Sequence, residues 1–179
     1  EFNLREELQN FKNEIGEEIP DITILQALAL NISGQCRRQD ILGLNSSEVK
    51  NNWGDVIESL RKSIDFLENT INIPMLDLLP YPAQLIPLSR FFFLMGNEEP
   101  SKQQKEKLIR WFWKSSVSNR FDSAVETKLE EDGKSIEDIA DEEPTDDGSG
   151  SDATFEIFRD SADEFRWRLR HENGNIIAD

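Results

Sequence analysis

The sequence predicts a mainly α-helical protein: a multi-helix bundle, an acidic linker, and a small antiparallel three-stranded β-meander. Three observations carry this. Apolar residues recur every three or four positions through residues 1–140, the period of helices buried on one face. Residues 141–153 (DEEPTDDGSGSDA) then mix acids with proline, glycine and serine, the composition of an extended linker. Beyond it the period changes to two, with Phe165, Trp167 and Leu169 alternating with Arg166, Arg168 and Arg170. The expected units are a helical domain (1–140), an acidic flexible linker (141–153) and a β-meander (154–179).

Charge follows the same division. The chain has 179 residues and a net charge of −16. Residues 1–121 carry a net −3, residues 122–153 a net −11 and residues 154–179 a net −2. Acidity is therefore local, which argues against salt adaptation, where acids cover the whole surface, and for a solvated connecting segment. The single cysteine, Cys36, excludes an internal disulfide and a cysteine-only metal cage, and fits a reducing, cytoplasmic setting. No basic segment followed by an apolar run and a small-residue cleavage site is present, so no signal peptide is expected. The chain opens on Glu1 rather than methionine, and the expectation is a fragment of a longer protein.

Taken in order, Leu4, Leu8, Phe11 and Ile15 mark a short amphipathic helix that Gly16 stops. Ile22 to Ile32 is apolar nearly all round and reads as a buried helix. Gln35 to Asp40 (QCRRQD) reads as a polar connection. Asn45 and Glu48 have capping-box spacing. They open a long helix whose seam is Val49, Trp53, Val56, Leu60, Ile64, Leu67 and Ile71. Its other face, with Lys50, Asp55, Glu58, Arg61, Lys62 and Glu68, reads as solvated charge. Pro74, Pro80, Pro82 and Pro87 punctuate the next segment. With Asp77, Gln84 and Arg90 they keep every apolar run far below the roughly 20 residues that span a bilayer. A buried, proline-kinked helix from near Ala83 to before Gly96 is expected there.

Ser101 and Gln104 form a second capping-box pair ahead of the most distinctive stretch, Leu108 to Phe121 (LIRWFWKSSVSNRF), with two of the four tryptophans. Leu108 with Phe112, and Ile109 with Trp113 and Val117, are i, i+4 pairs. Trp111 widens the apolar arc further, so this helix is expected to be the core on which the others pack. Lys128 to Ile139 suggests a weak acidic helix broken at Gly133. In the tail, Phe155 and Ile157 begin a strand. A turn follows at Asp160 to Asp163, then the arginine-alternating strand. Asn173-Gly174 is a preferred hairpin turn before a returning strand from Asn175 to Ala178.

Two families resemble these residues. PYPAQLIPLSRFF, followed by LIRWFWKSSVSNRFDSAVETKLEEDGKSI, resembles the C-terminal helical part of the GmrSD-type restriction endonuclease family, in its ParB/sulfiredoxin-like subunit. ILQALALNISGQCRRQDILGL and NNWGDVIESLRKSIDFLENTINIP are compatible with it, so the resemblance covers roughly residues 1–140. It implies a parent protein that restricts modified or foreign DNA in a nucleotide-dependent way. The family's Asp-Gly-Gln-Gln-Arg run is absent here, and His171 is the only histidine, so no catalytic residue is carried over. The tail TFEIFRDSADEFRWRLRHENGNIIAD resembles the opening of the YegP-like family, through Phe155, Ile157, Phe158, Asp160, Arg166 to Leu169 and Asn173 to Ala178. That family continues with a Gly/Tyr/Ser-rich turn and a covering helix. Without them the face of Phe155, Phe165, Trp167 and Leu169 lacks a lid. Either the natural chain continues, or this face docks elsewhere (self-association included), or the reading frame is degraded.

Two functional readings follow. In the first the chain is a non-catalytic helical module of a restriction-type protein, acting in DNA-associated binding or subunit assembly beside a missing catalytic domain or nuclease subunit. Lys102, Lys105, Lys107, Arg110, Lys114 and Arg120, against Glu106 alone, are then the candidate phosphate contacts. In the second it is a structural or oligomerisation scaffold without nucleic-acid contact. No catalytic, cofactor-binding or metal-binding residues are expected, and no membrane association. Cys36, although next to Arg37 and Arg38, reads as an inert buried thiol. Arg166, Arg168 and Arg170 read as cross-strand partners of Glu156 or Glu164.

Overall fold

The computed structural model describes residues 2–142 and the backbone of three strands, 154–159, 165–170 and 176–178. The chain divides into two units, Glu1–Glu143 and Pro144–Asp179. Among the described residues the first contains seven α-helices: α1 (Leu4–Ile15), α2 (Asp21–Ser33), α3 (Arg38–Gly43), α4 (Ser46–Phe66), α5 (Leu85–Met95), α6 (Lys102–Val117) and α7 (Val125–Ala140). Among the described residues no helix is long and apolar enough to cross a membrane.

Local chemistry sets most helix ends. Asn3 Oδ1 accepts from the Arg5 N–H, and α1 closes on Gly16 in the left-handed region at φ 74°. Gly34 closes α2 in the same way. A side chain there would carry a steric penalty that glycine escapes. At α4 the Asn45 side chain accepts from the Glu48 N–H at 2.8 Å. Every member of its predicted seam, Val49 to Ile71, is buried. The last turn of that seam, Leu67–Ile71, widens to π-helical geometry and ends on Asn72 at φ 63°. Ser101 and Gln104 form the full reciprocal capping box of α6.

The hub of the body is α5, which packs against α2, α4 and α7. It buries Leu85, Ile86, Leu88, Phe91 and Phe92, and Pro87 stands in its first turn, where proline is tolerated. This corrects the expectation that Leu108–Phe121 is the central packing element. Helix α6 buries only a stripe, Gln104, Leu108, Phe112 and Ser115. Ile109, Trp111 and Trp113 are half-buried and Val117 is exposed. The arc is narrower because α6 sits at the edge of the bundle, with α7 as its chief neighbour. The i, i+4 periodicity located the helix but could not rank it against the more uniformly apolar α5.

Three further expectations are corrected. Residues 38–43 form helix α3 rather than a plain polar connection, started by the Asp40 carboxylate accepting the Arg37 N–H at 2.9 Å. Helix α7 runs unbroken from Val125 to Ala140, with Gly133 buried in its middle. On α4, Arg61 and Lys62 are not idle solvated charge. Arg61 grips both oxygens of Glu14 at 2.7 and 2.8 Å, and Lys62 donates to the Gly96 carbonyl at 2.6 Å.

In the second unit, β1 (Thr154–Arg159), β2 (Phe165–Arg170) and β3 (Ile176–Ala178) pair antiparallel in the order β1-β2-β3. The register sets Glu156 opposite Arg168 and Ile157 opposite Trp167. The expected turns, and the acidic segment after Glu142, lie outside the described residues.

Candidate functional site

Five of the six candidate phosphate contacts stand on α6, and Arg120 follows it. At 100° per residue, Lys107, Arg110 and Lys114 (i, i+3, i+7) share one side of the buried stripe, while Lys102 and Lys105 fall on the other. The six therefore do not converge on one surface. Lys107 and Arg120 are among those engaged within the fold. Lys107 Nζ is held by both carboxylate oxygens of Glu142. Arg120 Nε donates to Asp132 Oδ1 and Oδ2 at 2.8 and 2.9 Å, and its Nη2 lies 2.5 Å from Oδ1 and 3.2 Å from Glu131 Oε2. These carboxylates raise the Arg120 pKa further, the Asp132 hydrogen bonds most. Asp132 is only 4% exposed, so this pair neutralises a carboxylate inside the body. Lys105, Arg110 and Lys114 make no ion pair among the described residues.

Several of the acidic residues that dominate the charge of segment 122–153 are structural. From α7, Glu130 pairs with Arg37, Glu131 with Lys128 and Arg120, and Glu137 with Arg90. Helix α7 thus returns its carboxylates to cations on several other elements. Gln104 strengthens the junction: its Nε2 lies 3.1 Å from the Ile139 carbonyl and 3.2 Å from that of Ala140, at the C-terminal end of α7.

Cys36 is fully buried, with its Sγ 3.8 Å from the Glu126 carbonyl. Burial pushes the thiol up to about 12, and Glu130, Glu126 and Asp40 add to the effect against the smaller opposing influence of Arg37. A thiol so placed is neutral and unreactive at neutral pH. Among the described residues no group of three His, Cys, Asp or Glu side chains could hold a metal ion.

One feature went unread in the sequence. A groove of about 1080 Å³ lies between the α1–α2 corner and the proline-rich segment ahead of α5. Ile19, Leu76, Leu79 and Leu85 supply its buried apolar floor. Glu17, Glu18, Asp21 and Asp77 supply carboxylates, and Lys12 is the only cation lining it. Glu17 accepts the Leu76 N–H and Lys12 pairs with Asp21 at 2.5 Å, tying the two walls and the corner in place. The sequence signal was the run of leucines between Pro74 and Pro87. Its counterpart, Glu17 to Asp21, is too distant along the chain to be matched with it by pattern.

Comparison with known proteins adds two similarities. The family profile for a domain of unknown function, DUF1508, matches residues 160–179, within the segment that resembles the YegP-like family. The chain is also similar to "Uncharacterized protein MJ0686" of Methanocaldococcus jannaschii, at 22% identity over 147 residues. That similarity covers 76% of this chain and 23% of the archaeal protein, so the chain spans about a quarter of that relative's length. No solved structure matches.

Proposed function

We propose that residues 1–142 are a non-catalytic helical module of a restriction-type protein and serve subunit assembly rather than DNA contact. The restriction context rests on the resemblance of the PYPAQLIPLSRFF and LIRWFWKSSVSNRF blocks to the helical part of the GmrSD-type family. The YegP-like meander would be a second, appended interaction unit. What supports assembly over DNA contact is the engagement of Lys107 and Arg120 by Glu142, Asp132 and Glu131. A cation that neutralises a carboxylate of its own chain is not available to release counterions from DNA, and counterion release dominates such binding. The net charge of −10 over residues 1–142 opposes approach to a phosphate backbone as well.

Arg110 and Lys114, which share one side of α6 and make no ion pair among the described residues, favour a second reading, in which α6 touches phosphate through these two cations alone. A salt titration of duplex DNA binding separates the two. The assembly reading predicts no measurable binding at low salt. Binding whose log–log salt slope corresponds to about two phosphates, at roughly −0.9 each, would establish the second reading instead.

A further inference from the structure

We propose that the groove at the α1–α2 corner is a docking site for a basic, apolar peptide segment of a partner protein. The inference rests on the assembly reading and names the surface and the kind of partner that assembly would use.

The first argument is chemical. The floor is aliphatic, and the rim is negative, so an occupant needs aliphatic side chains for the floor and lysine or arginine for the rim. Lys12 offsets only Asp21, with which it pairs, and leaves the other three carboxylates of the rim unbalanced. Glu17 is committed to the Leu76 N–H, which leaves Glu18 and Asp77 as exposed carboxylates with no ion pair among the described residues. An anionic or neutral polar segment would leave the floor wet and those acids unmatched.

The second argument is the surface beside the groove. Leu76 and Leu79 point into the body, while Met75 and Leu78, on the same turn, are 52% and 56% exposed. These two large apolar side chains, left in water on the turn that forms one wall of the groove, add apolar surface outside the cavity, which suits a chain-like ligand rather than a compact molecule. Most of the lip, including Gln9, Asn13, Glu18 and Asp77, is exposed, so the groove is open along its length and would not enclose a small molecule.

The third argument is rigidity. Pro20 and Pro82 line the walls, Pro74 and Pro80 flank the leucine-rich turn, and the Glu17–Leu76 hydrogen bond fixes one wall to the other. A preformed groove spares a partner the ordering cost that a flexible one would impose.

The test uses the full 179-residue chain and fluorescein-labelled peptides of alternating leucine and lysine, with glutamate-for-lysine and serine-for-leucine versions. Fluorescence anisotropy should show binding of the leucine–lysine peptide alone, weakening as salt rises. Glu18→Lys with Asp77→Lys should weaken it about tenfold, and Met75→Ser with Leu78→Ser should weaken it without changing its salt dependence. These four positions are exposed, and circular dichroism with urea unfolding checks that the variants keep their fold. Equal binding of the glutamate peptide, equal affinity of the charge-reversed variant, or no binding of the leucine–lysine peptide would overturn the proposal. DNA binding would overturn the assembly reading and leave these peptide results standing, so the two can fail separately.

Discussion

Gly133 of α7 lies against Leu30 of α2: a Cβ at Gly133 would stand 3.3 Å from Leu30 Cδ1 and 3.4 Å from Cδ2. Leu30 is 1% exposed, so it has little room to retreat. The glycine that looked like a helix break is where the Leu30 side chain packs against the backbone of α7. Two opposing effects should nearly cancel in Gly133→Ala, namely a gain of up to about 1 kcal/mol in helix propensity and a tight contact with Leu30. Gly133→Val adds more bulk than the site holds and should cost about 1–3 kcal/mol. Urea unfolding of both variants checks this. A stabilised valine variant would show that α7 does not pack on α2 as described.

Cys36 should be chemically silent while the chain is folded. Its thiol, pushed up to about 12 by burial first and by Glu130, Glu126 and Asp40 next, stays protonated at neutral pH. A thiol-reactive disulfide reagent should label the urea-unfolded chain rapidly and the native chain only at the rate of opening. The sign of the pH effect follows from the raised value. Below the ordinary thiol pKa of 9.0 both states are protonated and the cysteine contributes no pH dependence. Between 9.0 and about 12 the unfolded chain ionises first, so stability falls as pH rises. Cys36→Ala should remove that part of the alkaline loss.

Acid should act through a different set of groups. Arg61 holds the Glu14 carboxyl below its ordinary pKa by hydrogen bonding, and Lys128, then Arg120, do the same for Glu131. A carboxylate with a depressed folded-state pKa contributes stability above its unfolded pKa, and that contribution disappears as pH falls through the folded value. Both groups are exposed, so each contribution is small and screened by salt. The combined variant Glu14→Gln, Glu131→Gln should lose less stability than the wild type between neutral pH and the acid limb. Parallel losses in thermal scans would contradict the assignment.

The sequence disclosed what is local and hid what depends on distant neighbours. Asn45 and Ser101 each cap a helix with a partner three residues away, so α4 and α6 were legible before any packing was known. The buried seam of α4 was legible for the same reason. Gly133 was misread because its reason for being glycine is Leu30, on another helix. Cys36 was legible as a buried, inert thiol despite Arg37 and Arg38 beside it, but the Glu126 and Glu130 carboxylates that folding brings to it from α7 were not. Lys107 and Arg120 looked free because Glu142 and Asp132, which engage them, sit in a segment whose composition reads as solvated charge.

The most direct test of whether the cations beside α6 belong to the fold is a double-mutant cycle on Arg120 and Asp132. Arg120→Ala leaves an almost fully buried carboxylate without its partner and should cost on the order of 3 kcal/mol. Asp132→Ala should also destabilise, and the double variant should lose less than the two singles together, with a coupling of about 0.5–3 kcal/mol. An Arg120→Ala variant within about 0.5 kcal/mol of wild type, with effects that simply add, would contradict the account and return Arg120 to the surface as a free cation.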